Sequence, residues 1–225
     1  MHKNRFVFGV AIIVILAGVI LAFLWLRPAA EANSELDNPQ QQSNSTIRSV
    51  LFSGDSISDG WHASIKSKGF VYRVEKELAP IKSFHNHMHG YTVGQVGEKF
   101  FIPEDVDLAI IELGTNDVNK GTTLEAFEIN YPTYIERVMT KSPRARLICL
   151  GVFPYSERGI TFDGIIENTC NAHQGQFISI SDISQSRRGV DPAGTETWAG
   201  KSTPGHPNDF GHAVIANRIF TALGR

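Results

Sequence analysis

The chain has 225 residues, a formal net charge of −2 and two cysteines. The balanced charge gives no indication of nucleic-acid binding, and two cysteines are too few for a disulfide framework. A bond between Cys149 and Cys170 can form outside the cell, although both lie in segments where a free, buried cysteine is the more ordinary expectation.

An uncharged apolar run extends from Phe6 to Leu26 and has about the ~20 residues that a membrane-spanning helix needs. Lys3 and Arg5 precede it, so the positive-inside rule predicts a cytoplasmic N-terminus and an exported remainder. The alternative is a secretory signal cleaved after Ala32, but the run exceeds the ~7–15 apolar residues of such signals. We therefore predict a signal anchor in residues 1–27, with the membrane as a partner.

Residues 28–46 are rich in Ala, Asn, Gln, Ser and Pro and show no apolar periodicity, which predicts a disordered linker. Residues 47–225 are then long enough for one domain with its own core.

Within this domain, apolar runs alternate with segments of helical spacing. The runs predict five strands, at Arg48–Ser53, Ile81–His89, Asp107–Leu113, Arg146–Val152 and Phe177–Ile180. The spacing predicts helices at about Ser64–Leu78, Leu124–Val138, Asp163–His173 and Asp209–Leu223. Because the strands are continuously apolar, this order predicts an α/β domain whose parallel sheet is covered on both faces.

Three polar motifs lie where sites form in such sheets, beside the ends of regular elements. Gly54-Asp55-Ser56 follows the first strand, Gly114-Thr115-Asn116-Asp117 follows the third, and Asp209-Phe210-Gly211-His212 opens the last helix. Each motif alone is an ordinary turn or helix cap. Together they supply a hydroxyl nucleophile, an amide donor and a carboxylate three residues from an imidazole, which are the parts of an acyl-transfer site.

These motifs, with Gly90 in His89-Gly90-Tyr91-Thr92 and the ending HPNDFGHAVIAN, resemble the SGNH (GDSL-like) esterase/lipase superfamily from about Arg48 to Leu223. The resemblance implies a three-layer, flavodoxin-like fold with a five-stranded parallel sheet and no cofactor. It also implies roles for individual residues: Ser56 as the nucleophile, His212 as the base oriented by Asp209, and an oxyanion hole formed by the amides of Ser56 and Gly90 and the side chain of Asn116.

Other residues are candidates for lining the substrate pocket. They are Asp55, Asp117, His89 and Trp198, together with the irregular segments Tyr155–Phe162 and Arg187–Pro204. His85, His87 and His89 alternate along the second predicted strand and share one face, a pattern that can bind zinc. A polar edge strand explains the same pattern, and no metal is assigned to it.

The sequence therefore predicts a membrane-anchored, exported serine esterase that forms an acyl-enzyme on Ser56. The expected substrate is an acylated, above all acetylated, carbohydrate of the envelope, or a short-chain lipid ester. Three alternatives stay open. They are an O-acyltransferase with the same triad, a thioesterase or peptidase-like activity, and a non-catalytic binding module on a hydrolase fold.

Overall fold

The computed structural model describes residues 46–225. Its strands are β1 (Ser49–Gly54), β2 (Lys82–His87), β3 (Leu108–Glu112), β4 (Arg146–Leu150), β5 (Gln176–Ile178), β6 (Glu196–Thr197) and β7 (Gly200–Lys201). Its helices are α1 (Phe70–Leu78), α2 (Val93–Lys99), α3 (Thr115–Lys120), α4 (Leu124–Lys141), α5 (Glu157–Ala172), α6 (Ser181–Gln185) and α7 (Asp209–Leu223).

Strands β1 to β5 form one parallel sheet in the order β2-β1-β3-β4-β5. This is the flavodoxin-like order, whose ligand sites form at the carboxyl ends of the strands where the strand order reverses, here between β1 and β3. The predicted α/β architecture and five-stranded parallel sheet are confirmed. Strand β2 lies at the edge, which accounts for its polar sequence.

Each face of the sheet is covered by its own apolar cluster. Helices α1 and α7 cover one face through side chains such as Phe70 and Ile219. Helices α2, α4 and α5 cover the other through side chains such as Val96, Phe127 and Phe162. The fold therefore has three layers, and the loops at the carboxyl ends of β1 and β3 are held between two packed helical layers.

Several element boundaries differ from those predicted. Helix α1 begins at Phe70 rather than at Ser64: Lys66–Lys68 form a separate 3₁₀ turn, and Gly69, whose ψ is 151°, interrupts the helical backbone. Gly69 packs against Gly60, and a Cβ on it would lie 2.7 Å from the Cα of Gly60. Helix α5 begins at Glu157, so most of the segment predicted as an irregular pocket loop is helical.

Cys149 in β4 and Cys170 in α5 are fully buried and form a disulfide, with their Cα atoms 6.2 Å apart. This corrects the expectation that the two thiols stay free. The bond ties the sheet to the helix that packs on it.

Among residues 46–225, no helix is both long and apolar enough to cross a membrane. The anchor predicted in residues 1–27 and almost all of the predicted linker lie outside the described residues.

Candidate active site

Ser56 lies in a compact turn directly after β1. The turn is closed by the Trp61 N–H, which donates to the Ser56 carbonyl oxygen at 2.9 Å. Only glycine fits at position 54, since a Cβ there would lie 1.9 Å from the Ser58 Oγ. Ser56 therefore follows the strand in a series of turns, as the position of its motif predicted.

The partner of Ser56 is His206, whose Nε2 lies 2.8 Å from the Ser56 Oγ. His206 sits in the loop just before α7. Asn208 caps that helix by accepting hydrogen bonds from Phe210 and Gly211, and its own N–H donates to the Gly189 carbonyl oxygen at 2.9 Å. The capped helix end thus fixes the loop that carries the imidazole.

The surroundings of His206 keep its imidazole neutral. Burial, reinforced by the neighbouring imidazoles of His62, His212 and His89, lowers the pKa of His206 to about 4. The ring packs on His62 and Trp61, with centroid distances of 4.4 and 5.7 Å. A neutral imidazole in contact with a hydroxyl has the protonation state that a general base requires.

No carboxylate of residues 46–225 contacts this imidazole. The Nδ1 of His206 is buried and has no hydrogen-bond partner among residues 46–225. Neighbouring rings and the capped loop therefore hold the imidazole, and the structure places Ser56 in contact with His206 and not with the predicted pair of His212 and Asp209.

The prediction that His212 faces Ser56 is wrong. His212 is fully buried on the inner face of α7. Its Nδ1 accepts from the Phe70 N–H at 3.3 Å and its Nε2 lies 3.0 Å from the Trp61 carbonyl oxygen. Because both ring nitrogens are engaged by the backbone, His212 has none left for a serine, and it serves as a core histidine that joins α7 to the Ser56 turn.

The prediction that Asp209 orients His212 is also wrong. The Asp209 carboxylate accepts from the backbone N–H and the hydroxyl of Ser64, both at 2.7 Å, and from the Lys68 Nζ at 2.6 Å. These contacts fasten the start of α7 to the segment that leads into α1.

Asn116 lies at the start of α3, beyond the end of β3, as predicted. Its Nδ2 donates to the Asp55 Oδ2 at 2.7 Å, which uses one of the two amide hydrogens. The remaining hydrogen is available to another acceptor. Asp55 itself is fully buried, so it orients Asn116 and does not line a pocket as predicted.

The two predicted backbone donors have geometry compatible with their role. The N–H groups of Ser56 and Gly90 donate no hydrogen bond to any described residue. Gly90 has a φ of 77°, in the left-handed region that favours glycine. Asp117, a predicted pocket residue, is instead fully buried and accepts from the Val93 N–H at 2.9 Å, which joins α3 to α2.

A cleft of about 330 Å³ adjoins this pair of catalytic candidates. Its lining residues are Asp59, Trp61, His87, Met88, His89, Trp198 and Ala199. Trp61 connects the cleft to the site, because its ring packs on His206 and stacks on His89 at 4.7 Å. The Trp198 Nε1 donates to the Gly60 carbonyl oxygen at 2.8 Å, which fixes its indole at the wall. The pocket roles predicted for His89 and Trp198 thus have a matching cavity.

The alternating histidines of β2 do not assemble a metal site. The His85 Nε2 pairs with Glu75 at 2.9 Å, and the His85 Nδ1 lies 3.2 Å from the His87 Nε2. His89 lies beyond the end of the strand, and no cluster of metal-ligating side chains occurs within the described part of the chain.

A parallel α/β sheet that presents a serine–histidine pair beside its carboxyl edge has the arrangement of a serine hydrolase. The chain belongs to the GDSL-like Lipase/Acylhydrolase family, which it matches over residues 52–214. It is accordingly a hydrolase that acts on ester bonds, and the resemblance read from its motifs is confirmed.

Solved structures share this fold at low sequence identity. The psychrotrophic esterase EstA from Pseudoalteromonas sp. is 15% identical, with a TM-score of 0.59 over 79% of this chain and 97% of its own. A family two carbohydrate esterase from Clostridium thermocellum, solved with cellohexaose, is 15% identical, with a TM-score of 0.58 over 80% of this chain and 64% of its own.

Phospholipase A1 from Streptomyces albidoflavus NA297 is 15% identical, with a TM-score of 0.61 over 78% of this chain and 99% of its own. No curated protein sequence matches this chain. Because the structural neighbours act on different esters, they establish the fold and leave the substrate to be argued from the site.

Proposed function

We propose that the protein is an exported, membrane-anchored serine esterase that forms an acyl-enzyme on Ser56, with His206 as the general base. The observation that carries this proposal is the 2.8 Å contact between the Ser56 Oγ and the Nε2 of a half-buried, neutral His206. Two residues held at hydrogen-bond distance in this way are the mark of an activated nucleophile.

In the first half-reaction His206 takes the Ser56 proton as the Oγ attacks the ester carbonyl. The imidazolium then gives that proton to the departing alcohol, and the acyl group stays on Ser56. In the second half-reaction His206 deprotonates a water molecule, which attacks the acyl carbonyl carbon. The bond to the Ser56 Oγ then breaks, the acid is released, and the imidazolium returns its proton to the Ser56 Oγ. Because the imidazolium has no carboxylate partner, its charge is compensated by the oxyanion that forms beside it.

That oxyanion needs positioned donors. The proposed donors are the free N–H groups of Ser56 and Gly90 and the second amide hydrogen of Asn116. The hydrogen bond to Asp55 limits rotation of the Asn116 amide. A donor fixed before the reaction stabilises the transition state more than one that must reorient.

An acylated carbohydrate is the substrate class that fits the cleft best. Trp61 and Trp198 offer indole surface, and Asp59 and His87 offer polar groups within the same cavity. Aromatic faces pack on the C–H faces of sugar rings, and polar side chains bind the hydroxyl groups. The alcohol portion of the ester would lie in this cleft with its acyl group toward Ser56.

Two independent features support export. The apolar run of residues 6–26 has the length of a membrane anchor. The buried disulfide between Cys149 and Cys170 is of a kind that persists outside the reducing cytoplasm.

Turnover assays on the purified full-length chain test the substrate class. The panel compares acetylated oligosaccharides, p-nitrophenyl esters of increasing acyl length, and phospholipid vesicles. We expect the highest kcat/KM on acetylated oligosaccharides, and no turnover by Ser56→Ala. The exposed Ser179→Ala is the matched control and should keep full activity. A clear preference for long acyl chains or vesicles would indicate that the substrate is a lipid ester and not an acylated carbohydrate. Full activity in Ser56→Ala would exclude the mechanism.

A further inference from the structure

Two carboxyl groups are buried directly beneath Ser56. Asp55 precedes the serine, and Glu112 is the last residue of β3, paired in the sheet with Gly54. Their exposed fractions are 0% and 1%. The Glu112 Oε2 accepts from the Asp55 N–H at 3.3 Å, the Ser58 N–H at 3.2 Å and the Ser58 Oγ at 3.0 Å. The Glu112 carboxyl group thus forms hydrogen bonds with the residues on both sides of Ser56.

The nearest titratable neighbours of this pair are acids. Asp117 faces Asp55 from α3, and the buried phenol of Tyr131 faces Glu112 from α4. Among residues 46–225, no lysine or arginine forms a hydrogen bond or salt bridge with either carboxyl: their contacts are with Ile57, Ser58, Asn116 and each other's residue. Two adjacent carboxylates without a cation cannot both be ionised in such a site, because each charge destabilises the other.

The proton is best placed on Glu112. Burial and the neighbouring Asp55 raise the pKa of Glu112 well above its ordinary range, whereas burial raises the pKa of Asp55 only to about 6. Asp55 accepts at both oxygens, from the Ile57 N–H at Oδ1 (2.9 Å) and from Asn116 at Oδ2 (2.7 Å), which favours its ionised form. By contrast, all three donors to Glu112 reach Oε2. The Glu112 Oε1 receives no hydrogen bond from any described residue, as expected of an oxygen that carries a proton.

We propose that Glu112 is a positioning residue that works in its neutral form, sharing one proton with Asp55 while its Oε2 holds the residues on either side of Ser56. Asp55 then stays ionised and orients Asn116. This inference deepens the proposed function and rests on it for its link to activity. Loss of the shared proton would place two anions beneath the serine and loosen the turn, so activity should fall in alkaline solution.

Glu112→Gln is the first test, because its amide keeps the neutral shape and can still donate to Asp55. We expect kcat at neutral pH within about 3-fold of wild type, and an alkaline decline of kcat that moves to higher pH or disappears. A loss of about 100-fold in a variant that melts at the wild-type temperature would show that the ionised carboxylate is required, and would overturn the proposal.

Thermal unfolding provides a second measurement that does not need activity. A carboxyl whose folded pKa lies above its unfolded pKa binds more protons in the folded state, so stability falls as pH rises between the two values. As the pH rises above about 5, the Tm of the wild type should therefore fall relative to that of Glu112→Gln. Parallel Tm curves for the two proteins would contradict the proposal.

Asp163→Asn is the matched control. Asp163 is a half-buried carboxyl in α5, away from Ser56, and it accepts from the Val152 N–H at 2.7 Å. The substitution Asp163→Asn should change the pH dependence of Tm and leave the pH dependence of kcat unchanged. If Glu112→Gln does not fold, difference infrared spectra of the wild type replace it. A neutral-carboxyl band should persist above about pH 7, where groups with a pKa near 6 are ionised, and its absence would overturn the proposal.

Absence of turnover in the wild type would instead remove the proposed function. The Tm and infrared results would still decide whether Glu112 carries the proton.

Discussion

The substitution Asp209→Asn distinguishes the Ser56–His206 pair of the structure from the triad of Ser56, His212 and Asp209 that the sequence predicted. The side chain of Asp209 contacts Ser64 and Lys68, at 2.6–2.7 Å, and no histidine. Asparagine keeps the shape and one acceptor oxygen, and removes the charge. Catalysis should therefore be nearly unchanged, whereas the attachment of α7 should weaken.

The two accounts predict very different magnitudes. Loss of the acid that orients a catalytic histidine costs about 10⁴-fold in kcat in an established triad. The structure predicts a change of less than about 3-fold in kcat. It also predicts a loss of about 1–2 kcal/mol in stability, since the lost contacts are one partly exposed ion pair and weakened hydrogen bonds. In a domain of this size, that loss lowers Tm by about 2–8 °C.

The assay is kcat and Tm for Asp209→Asn and for Lys68→Gln, which removes the same ion pair from its other end. Both variants should melt at slightly lower temperatures and hydrolyse esters at close to the wild-type rate. A fall of about 10³-fold or more in kcat for Asp209→Asn, with Lys68→Gln unaffected, would refute the placement of Asp209 outside the catalytic machinery.

Three further results are expected. The kcat of His206→Gln should fall by at least about 10³-fold with Tm nearly unchanged, because the substitution removes the base and no backbone contact. Near-normal turnover would count against His206 as the general base. The acid limb of kcat/KM should lie well below pH 6, since burial among imidazoles lowers the pKa of His206 to about 4 and the base stays neutral down to that range; a midpoint near 6.5 would disagree. Trp198→Ala should raise the KM for an acetylated oligosaccharide and leave the KM for p-nitrophenyl acetate unchanged, and Trp198→Phe should have an intermediate KM for the oligosaccharide. Equal increases in KM for both esters would indicate that Trp198 has a structural role.

The strand pattern of the sheet was predictable because its signal is local. The buried strands β1, β3 and β4 are continuous apolar runs, and each predicted range contains the observed strand or nearly all of it. The polar edge strand β2 was also placed correctly. The short helices α2 and α3 were missed because seven and six residues are too few to establish a period.

The sequence paired Ser56 with a histidine other than the one that contacts it in the structure, for a physical reason. Spacing along one helix favoured Asp209 and His212, since residues three apart share a face. The sequence also contained the opposing signal: His212 continues the apolar stripe of Ile215, Ile219 and Leu223, which faces the core. A histidine in such a stripe is more readily explained as a core residue than as a base.

The contact between His206 and Ser56 spans 150 positions and depends on how the loop before α7 folds over the turn after β1. No local period encodes that approach. The buried pairing of Asp55 with Glu112 is equally non-local, because it arises from the register of β1 against β3.

The most direct test of the Ser56–His206 site is the intact mass of the full-length chain after treatment with a fluorophosphonate. The wild type and Asp209→Asn should each gain one adduct at comparable rates, Ser56→Ala should gain none, and His206→Gln should react far more slowly. Rapid labelling of His206→Gln together with failure to label Asp209→Asn would restore the triad and contradict the site described.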